Sequence, residues 1–224
     1  MTAGRDGHGF LGPEAVSFLQ ALAANNNRDW FTANKPRYEA VLKRPAAAFA
    51  TATAGELERR TGLAHEARIY RIQRDIRFAK DKTPYNAHLH IAFTPRIDHP
   101  APPAWMFGLE PDRLVLGAGT FAFPGAVLDR WRARVAGPDG AALATILSRL
   151  QAAGARLDEP ELKRVPKPFP ADHPQAALLR RKGLCAWRDD IPVAAAYGAA
   201  APAACAQALT PLQPLFDWLR AMPA

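Results

Sequence analysis

The period of the hydrophobic pattern changes twice along this chain, and the change constrains its fold strongly. Apolar residues recur at helical spacing from Pro13 to about Arg60, alternate with polar residues over much of 68–118, and return to helical spacing from Ala126. Helices on both sides of a run of strands are typical of α+β proteins. We therefore predict an α+β fold with a central antiparallel, meander-like sheet of at least four strands packed against N- and C-terminal helices.

The helical segments carry start signals. Pro13 suits the first turn of an amphipathic helix, and Asn27 suits the N-cap of a second helix that runs toward Arg60. Pro36 and Pro45 each lack a backbone donor, so we expect kinks or a break there. Further helices are predicted at 126–135, 141–150, 175–182 and 212–222.

Strands are predicted where apolar and polar residues alternate, at 68–78, 88–93, 104–109 and 113–118, with a short one at 184–188. In the first of these the polar residues occupy odd positions. Arg71, Asp75 and Arg77 would then share one face of the sheet, because side chains alternate along a strand. Tyr70 and Phe78 would point to the opposite face, which argues against a surface that stacks nucleic-acid bases there.

Composition favours an ordinary globular chain. With 224 residues and 49% hydrophobic content, residues 13–224 are predicted to form a single domain, preceded by a disordered leader at 1–12. The leader lacks the apolar core of a signal peptide, and the alanine-rich stretch 193–209 is too weakly apolar to span a bilayer. We expect a cytoplasmic protein without a membrane partner, in which Cys185 and Cys205 are reduced and packed.

Positive charge is concentrated in two windows. The net charge is +8, yet residues 68–82 alone carry six basic and two acidic residues, and residues 163–188 carry seven basic and one acidic. The rest of the chain is therefore slightly acidic. Charge gathered in this way favours a phosphorylated or otherwise anionic partner, and a patch built from both windows is expected.

Several strings of residues resemble a bacterial and fungal family known as a domain of unknown function, of the 2461 type. They are 25–31 (NNNRDWF), 74–85 (RDIRFAKDKTPY), 162–167 (LKRVPK), 172–174 (DHP) and 178–182 (LLRRK). The resemblance runs from Pro13 to the last helix and implies one domain whose central sheet bears the charged motif. It implies no activity. Where the family commonly has a second basic residue after Tyr85, this chain has Asn86.

The charged motif supplies the candidate site, and three hypotheses remain open. The leading one is a domain that binds an anionic small molecule or nucleic acid, because arginines hold phosphate and carboxylate in bidentate fashion. Its candidate ligand-binding residues are Arg71, Arg74, Arg77, Lys80, Lys82 and Tyr85. The second is a hydrolase or transferase in which Asp75 and His88 share a proton. The third is a structural protein whose cluster is an internal ion-pair network.

No cofactor or metal is predicted. The string Lys80-Asp81-Lys82-Thr83 lacks the glycines of a phosphate-binding loop. His88 and His90 would face the same side of a strand, but the sequence offers no third ligand near them.

Overall fold

The computed structural model describes residues 9–222. Six strands form one antiparallel sheet in the order β1-β2-β3-β4-β6-β5. They are β1 (His65–Ile69), β2 (Leu89–Pro95), β3 (Ala104–Leu109), β4 (Leu114–Thr120), β5 (Arg156–Leu157) and β6 (Leu184–Ile191). Together with the helices, this sheet confirms the predicted α+β class.

Helices precede, interrupt and follow the strands. They are α1 (Pro13–Ala24), α2 (Arg28–Tyr38), α3 (Arg44–Thr61), α4 (Gly125–Ala136), α5 (Pro138–Ala152), α6 (Ala176–Leu179), α7 (Ala201–Leu209) and α8 (Gln213–Arg220). Short 3₁₀ turns at Val193–Ala196 and Thr210–Leu212 flank α7. Within residues 9–222, no helix combines the length and the apolar character that a bilayer span requires.

The start of α2 follows from its N-cap. The side chain of Asn27 accepts a hydrogen bond of 2.9 Å from the backbone N–H of Trp30, as predicted. The helix continues through Pro36, and the irregularity before Pro45 is a π-helical turn at Glu39–Lys43. There the N–H of Arg44 bonds the carbonyl of Glu39, five residues back. The wider turn loosens the backbone just before Pro45, whose ring would otherwise press on the carbonyl four residues earlier.

The chain divides into two compact units. The first comprises, of the described residues, 9–93, 106–116 and 190–208. Its core includes the fully buried side chains of Phe18, Leu22 and Phe49, and Phe49 packs on Phe107 with ring centroids 4.6 Å apart. Burial of each such side chain stabilises the unit by about 1.5–3 kcal/mol.

The second unit comprises, of the described residues, 94–105, 117–189 and 209–222. Its core is aromatic. The ring of Trp131 stacks on Phe123 at 4.6 Å and meets the ring of Trp218 edge-on at 5.6 Å, while Trp105 stacks on Phe216 at 4.2 Å. The indole N–H of Trp131 donates to the carbonyl of Leu178, so the buried polar atom is satisfied.

Most predicted elements are confirmed within a few residues, but several predictions were wrong in extent. The helix predicted at 175–182 covers only α6, and the strand predicted at 184–188 extends to Ile191. Neither β5 nor α7 was predicted. Residues 1–8 of the predicted leader lie outside the described residues, and Leu11 is buried. Cys185 and Cys205 are free and buried.

The strand predicted at 68–78 was also wrong. Regular pairing ends at Ile69, and the N–H of Tyr70 then donates to the carbonyl of His90 at 2.9 Å. Residues 71–88, hereafter the charged loop, form no continuous strand. The predicted common face for Arg71, Asp75 and Arg77 therefore has no basis in the backbone.

Candidate functional site

Backbone hydrogen bonds join the two arms of the charged loop near its base. The N–H of Asn86 donates to the carbonyl of Ile72 at 2.7 Å, and the N–H of Arg74 donates to the carbonyl of Pro84 at 2.9 Å. One isolated antiparallel bridge joins Gln73 to Tyr85. Proline has no backbone N–H to donate to the opposite arm, so the antiparallel pairing of the two arms cannot continue as a regular ladder past Pro84.

Residues from α2 and the turn before it hold the second arm of the charged loop, the one that contains Tyr85. The side chain of Asn26 donates to the carbonyl of Tyr85 at 2.8 Å and accepts from its N–H at 3.1 Å. The ring of Tyr85 stacks on Phe31 with centroids 4.2 Å apart. Asn26 thus takes the place of a strand partner, and the two longest strings of the family resemblance meet at Tyr85.

Part of the charged cluster is paired internally. Arg74 pairs with Asp81 at 2.5 Å and donates from the same nitrogen to the carbonyl and the hydroxyl of Thr83. Asp81 also accepts from the N–H of Thr83 at 2.9 Å. The N–H of Thr83, then Arg74 and the Thr83 hydroxyl, lower the pKa of Asp81 to about 2, so this carboxylate stays ionised.

Asp75 is occupied by Arg77. Its carboxylate accepts from the guanidinium of Arg77 at 2.6 Å and from the Arg77 N–H at 3.2 Å, and both interactions lower its pKa. Within residues 9–222 no hydrogen bond joins Asp75 to His88, so the proton-sharing pair of the enzyme hypothesis is not formed. Asp75 and Arg77 are both solvent-exposed, and such surface pairs contribute little stability.

A polar cavity of about 740 Å³ opens where β1 leads into the charged loop. Its volume lies within the range of small-molecule sites. The walls come from the end of β1, both arms of the loop and the start of β2: Arg68, Ile69, Tyr70, Arg71, Gln73, Arg74, Asp75, Asn86, His88 and His90.

Two stacked imidazoles form one wall. The rings of His88 and His90 lie 3.9 Å apart at an angle of 19°. Burial lowers the pKa of both groups, and the proximity of His88 helps bring the pKa of His90 to about 4, although Glu110 acts in the opposite direction. Both rings are therefore neutral at pH 7. A Cβ on Gly108 would lie 3.2 Å from the His90 ring, so glycine keeps room for it.

Arg68 and Arg71 are the cavity's cations without a salt bridge among the described residues, and Arg71, after the larger effect of Arg77, contributes in a small way to the lowered pKa of Asp75. Both are exposed, and the described part of the chain gives neither of them an ion pair. The guanidinium of Arg68 lies 4.9 Å from the ring centroid of Tyr70. Since Asp75 and Asp81 are taken by Arg77 and Arg74, the excess positive charge predicted for residues 68–82 resides on four residues, namely Arg68, Arg71, Lys80 and Lys82.

The second basic window, residues 163–188, includes one buried cation. Arg181 is only 7% exposed, and its pKa is lowered by burial while Glu161, Asp158 and Glu159 act against that shift. The backbone N–H of Lys182 donates to Glu161 at 2.8 Å. Because Arg181 is buried, it does not belong to a solvent-facing patch.

The structure brings some of the predicted site residues to the cavity and leaves others away from it. Arg71, Arg74, Asp75 and His88 line it. The remaining predicted residues do other things: Arg77 pairs with Asp75, Lys80 is exposed, Lys82 donates to the carbonyls of Ile76 and Arg77, and Tyr85 packs on Phe31.

Five polar wall residues were absent from the predicted site residues: Arg68, Tyr70, Gln73, Asn86 and His90. The sequence did indicate that the two histidines lie together, since side chains two residues apart on a strand face the same side. No sequence signal placed Arg68 and Tyr70 at a cavity, because the predicted strand ran on to residue 78 instead of ending at Ile69.

Comparison with known protein families identifies the family of this chain. The model of the family described as "Conserved hypothetical protein (DUF2461)" matches residues 14–218, which is most of the chain. Neither a curated protein nor a solved structure matches.

Proposed function

Because the chain belongs to the DUF2461 family of conserved hypothetical proteins, whose description names no activity, we propose from the cavity itself that this domain binds a phosphorylated ligand there. The observation that carries the proposal is the pair of unpaired arginines, Arg68 and Arg71, at a cavity of about 740 Å³. A guanidinium without a counter-ion offers its donors to phosphate or carboxylate oxygens in a planar fork.

The neutral wall supports the same conclusion. His88 and His90 can each donate one N–H to an oxygen without adding charge, while Gln73 and Asn86 add amide donors and acceptors. An apolar ligand would leave these groups unsatisfied, at a cost of about 1–3 kcal/mol for each buried group. The cavity therefore selects for a polar anion.

Calorimetric titration with inorganic pyrophosphate and with adenosine monophosphate tests the proposal. At low ionic strength we expect binding whose affinity falls as salt is raised, because the arginines are solvent-accessible. Arg71→Gln should weaken binding roughly 10-fold or more, the worth of one hydrogen-bonded charge. Its melting temperature should stay near that of the parent, since Arg71 makes no ion pair that the fold would lose.

Arg60→Gln is the matched control. Arg60 is an exposed arginine on α3 outside the cavity, and its replacement removes the same charge. Equal weakening by Arg60→Gln and Arg71→Gln would reduce the effect to net charge. The absence of salt-sensitive binding to both anions would overturn the proposal.

A further inference from the structure

Phe78 stands in solvent at the tip of the charged loop, with 96% of its surface exposed. The turn around it is held by polar contacts. The N–H of Ala79 donates to the carbonyl of Ile76 at 3.4 Å, and the ammonium of Lys82 donates to the same carbonyl at 3.1 Å. The fold therefore gains nothing from the ring, and an aromatic side chain that is presented in this way is available to a partner.

A second aromatic and several cations lie along the same segment. Tyr70 is 41% exposed and lines the cavity with Arg71. Lys80, two residues beyond Phe78, is exposed. The sequence pattern had argued that Tyr70 and Phe78 point away from Arg71. That objection falls, because no strand joins these positions and Tyr70 shares the cavity of Arg71.

We propose that the phosphorylated ligand is a single-stranded nucleic acid, with phosphates held by Arg68, Arg71 and Lys80 and a base stacked on Phe78. This inference rests on the proposed function and names its ligand class. Aromatic rings interleaved with cations are how proteins hold single strands without reading their sequence, since every base has a π-face. Duplex nucleic acid keeps its bases stacked inside and cannot use the ring.

An anionic membrane is the other surface that a basic loop with an aromatic tip could meet. The neighbouring cavity favours the nucleic acid. Its amides, Gln73 and Asn86, can bond the planar edge of a base, where donors and acceptors lie side by side, an arrangement that lipid headgroups do not offer. A single phenylalanine also gives little apolar area for insertion into a bilayer.

Fluorescence anisotropy with a labelled single-stranded oligothymidylate tests the inference. We expect Phe78→Ala to weaken binding about 5- to 100-fold, the usual worth of one base stacked on an aromatic ring. Phe78→Trp should restore it. Phe121→Ala is the matched control, because Phe121 is a phenylalanine that is 62% exposed and lies outside the charged loop. An abasic strand of equal length should bind more weakly and should not respond to Phe78→Ala.

The outcomes separate the two proposals. Pyrophosphate binding that is lost in Arg71→Gln, without binding of any single strand, would leave the proposed function standing and overturn this inference. If neither the phosphate anions nor the single strand binds, both the proposed function and this inference are overturned. Equal effects of Phe78→Ala and Phe121→Ala, or equal affinity for the abasic strand, also count against base stacking. Binding only to vesicles that contain phosphatidylserine, lost in Phe78→Ala, would assign the loop to membranes instead.

Discussion

Asn26 shows how one side chain positions the wall of the cavity. Its amide satisfies both backbone groups of Tyr85, and Asn86 and His88 follow directly along the wall. An asparagine amide can do this because it carries one acceptor and two donors on the same plane. The run of three asparagines was visible in the sequence, but only the middle one reaches across the chain.

We expect Asn26→Ala to destabilise the protein by about 1–3 kcal/mol, since it leaves two part-buried backbone groups of Tyr85 without partners. Asn25→Ala is the control. The Asn25 amide donates only to the exposed carbonyl of Ala21 at 2.9 Å, so its loss should cost less than about 1 kcal/mol. Urea unfolding of the two variants measures the difference. Equal urea midpoints for the two variants would show that the hydrogen bonds between Asn26 and Tyr85 contribute no stability.

At the scale of elements, the junction between α4 and α5 depends on a glycine. Gly140 is buried in the first turn of α5, and a Cβ there would overlap the carbonyl oxygen of Val135. We expect Gly140→Ala to destabilise the protein by about 1–3 kcal/mol through this overlap. Thermal or urea unfolding measures the loss.

Gly55 in α3 provides the opposite case. A Cβ there meets only the end of the Arg59 side chain, at 3.9 Å. Gly55→Ala should therefore stabilise the protein by about 0.5–1 kcal/mol, because alanine loses less entropy than glycine on entering a helix. A loss of stability in Gly55→Ala as large as in Gly140→Ala would contradict both expectations, because a Cβ on Gly55 overlaps no other atom.

The same scale shows what the sequence could predict. The capped start of α2, and strands bounded by prolines and turns, such as β3, were predicted to within a residue or two, whereas the end of α2 at Tyr38 was not predicted. The charged loop was not, because its alternating pattern was outweighed by local side-chain bonds. Asp75 and Asp81 each accept a backbone N–H two residues ahead, which competes with a strand ladder.

The cavity was predictable only in part, for the same reason. Its arginines and histidines were visible as residue types, and Arg71, Arg74, Asp75 and His88 were among the candidates. Which cations keep a counter-ion was not visible, since that depends on the turn geometry that brings Arg74 to Asp81 and Arg77 to Asp75.

For the whole molecule, acid should be destabilising well before carboxylates titrate. Burial lowers the pKa of four histidines below the ordinary value of 6.5, namely His65, His88, His90 and His99. The folded state then binds fewer protons than the unfolded state. The stability that these neutral rings contribute is complete above pH 6.5 and is lost as pH falls toward about 4, the pKa of His90.

Urea unfolding across this pH window measures the effect. We expect the free energy of unfolding to fall with pH from 6.5 to about 4, and His90→Gln to flatten that dependence. A slope that His90→Gln leaves intact would assign the acid sensitivity to other groups.

The bond between Asn26 and Tyr85 spans 59 positions of the chain. A peptide cut to the charged loop would carry Arg71 and Lys80 but would lack the amide that stands in for a neighbouring strand. The charged loop is therefore not a self-contained motif. Grafted onto another scaffold without the first two helices, it would keep its charge but lose the backbone conformation that Asn26 supports.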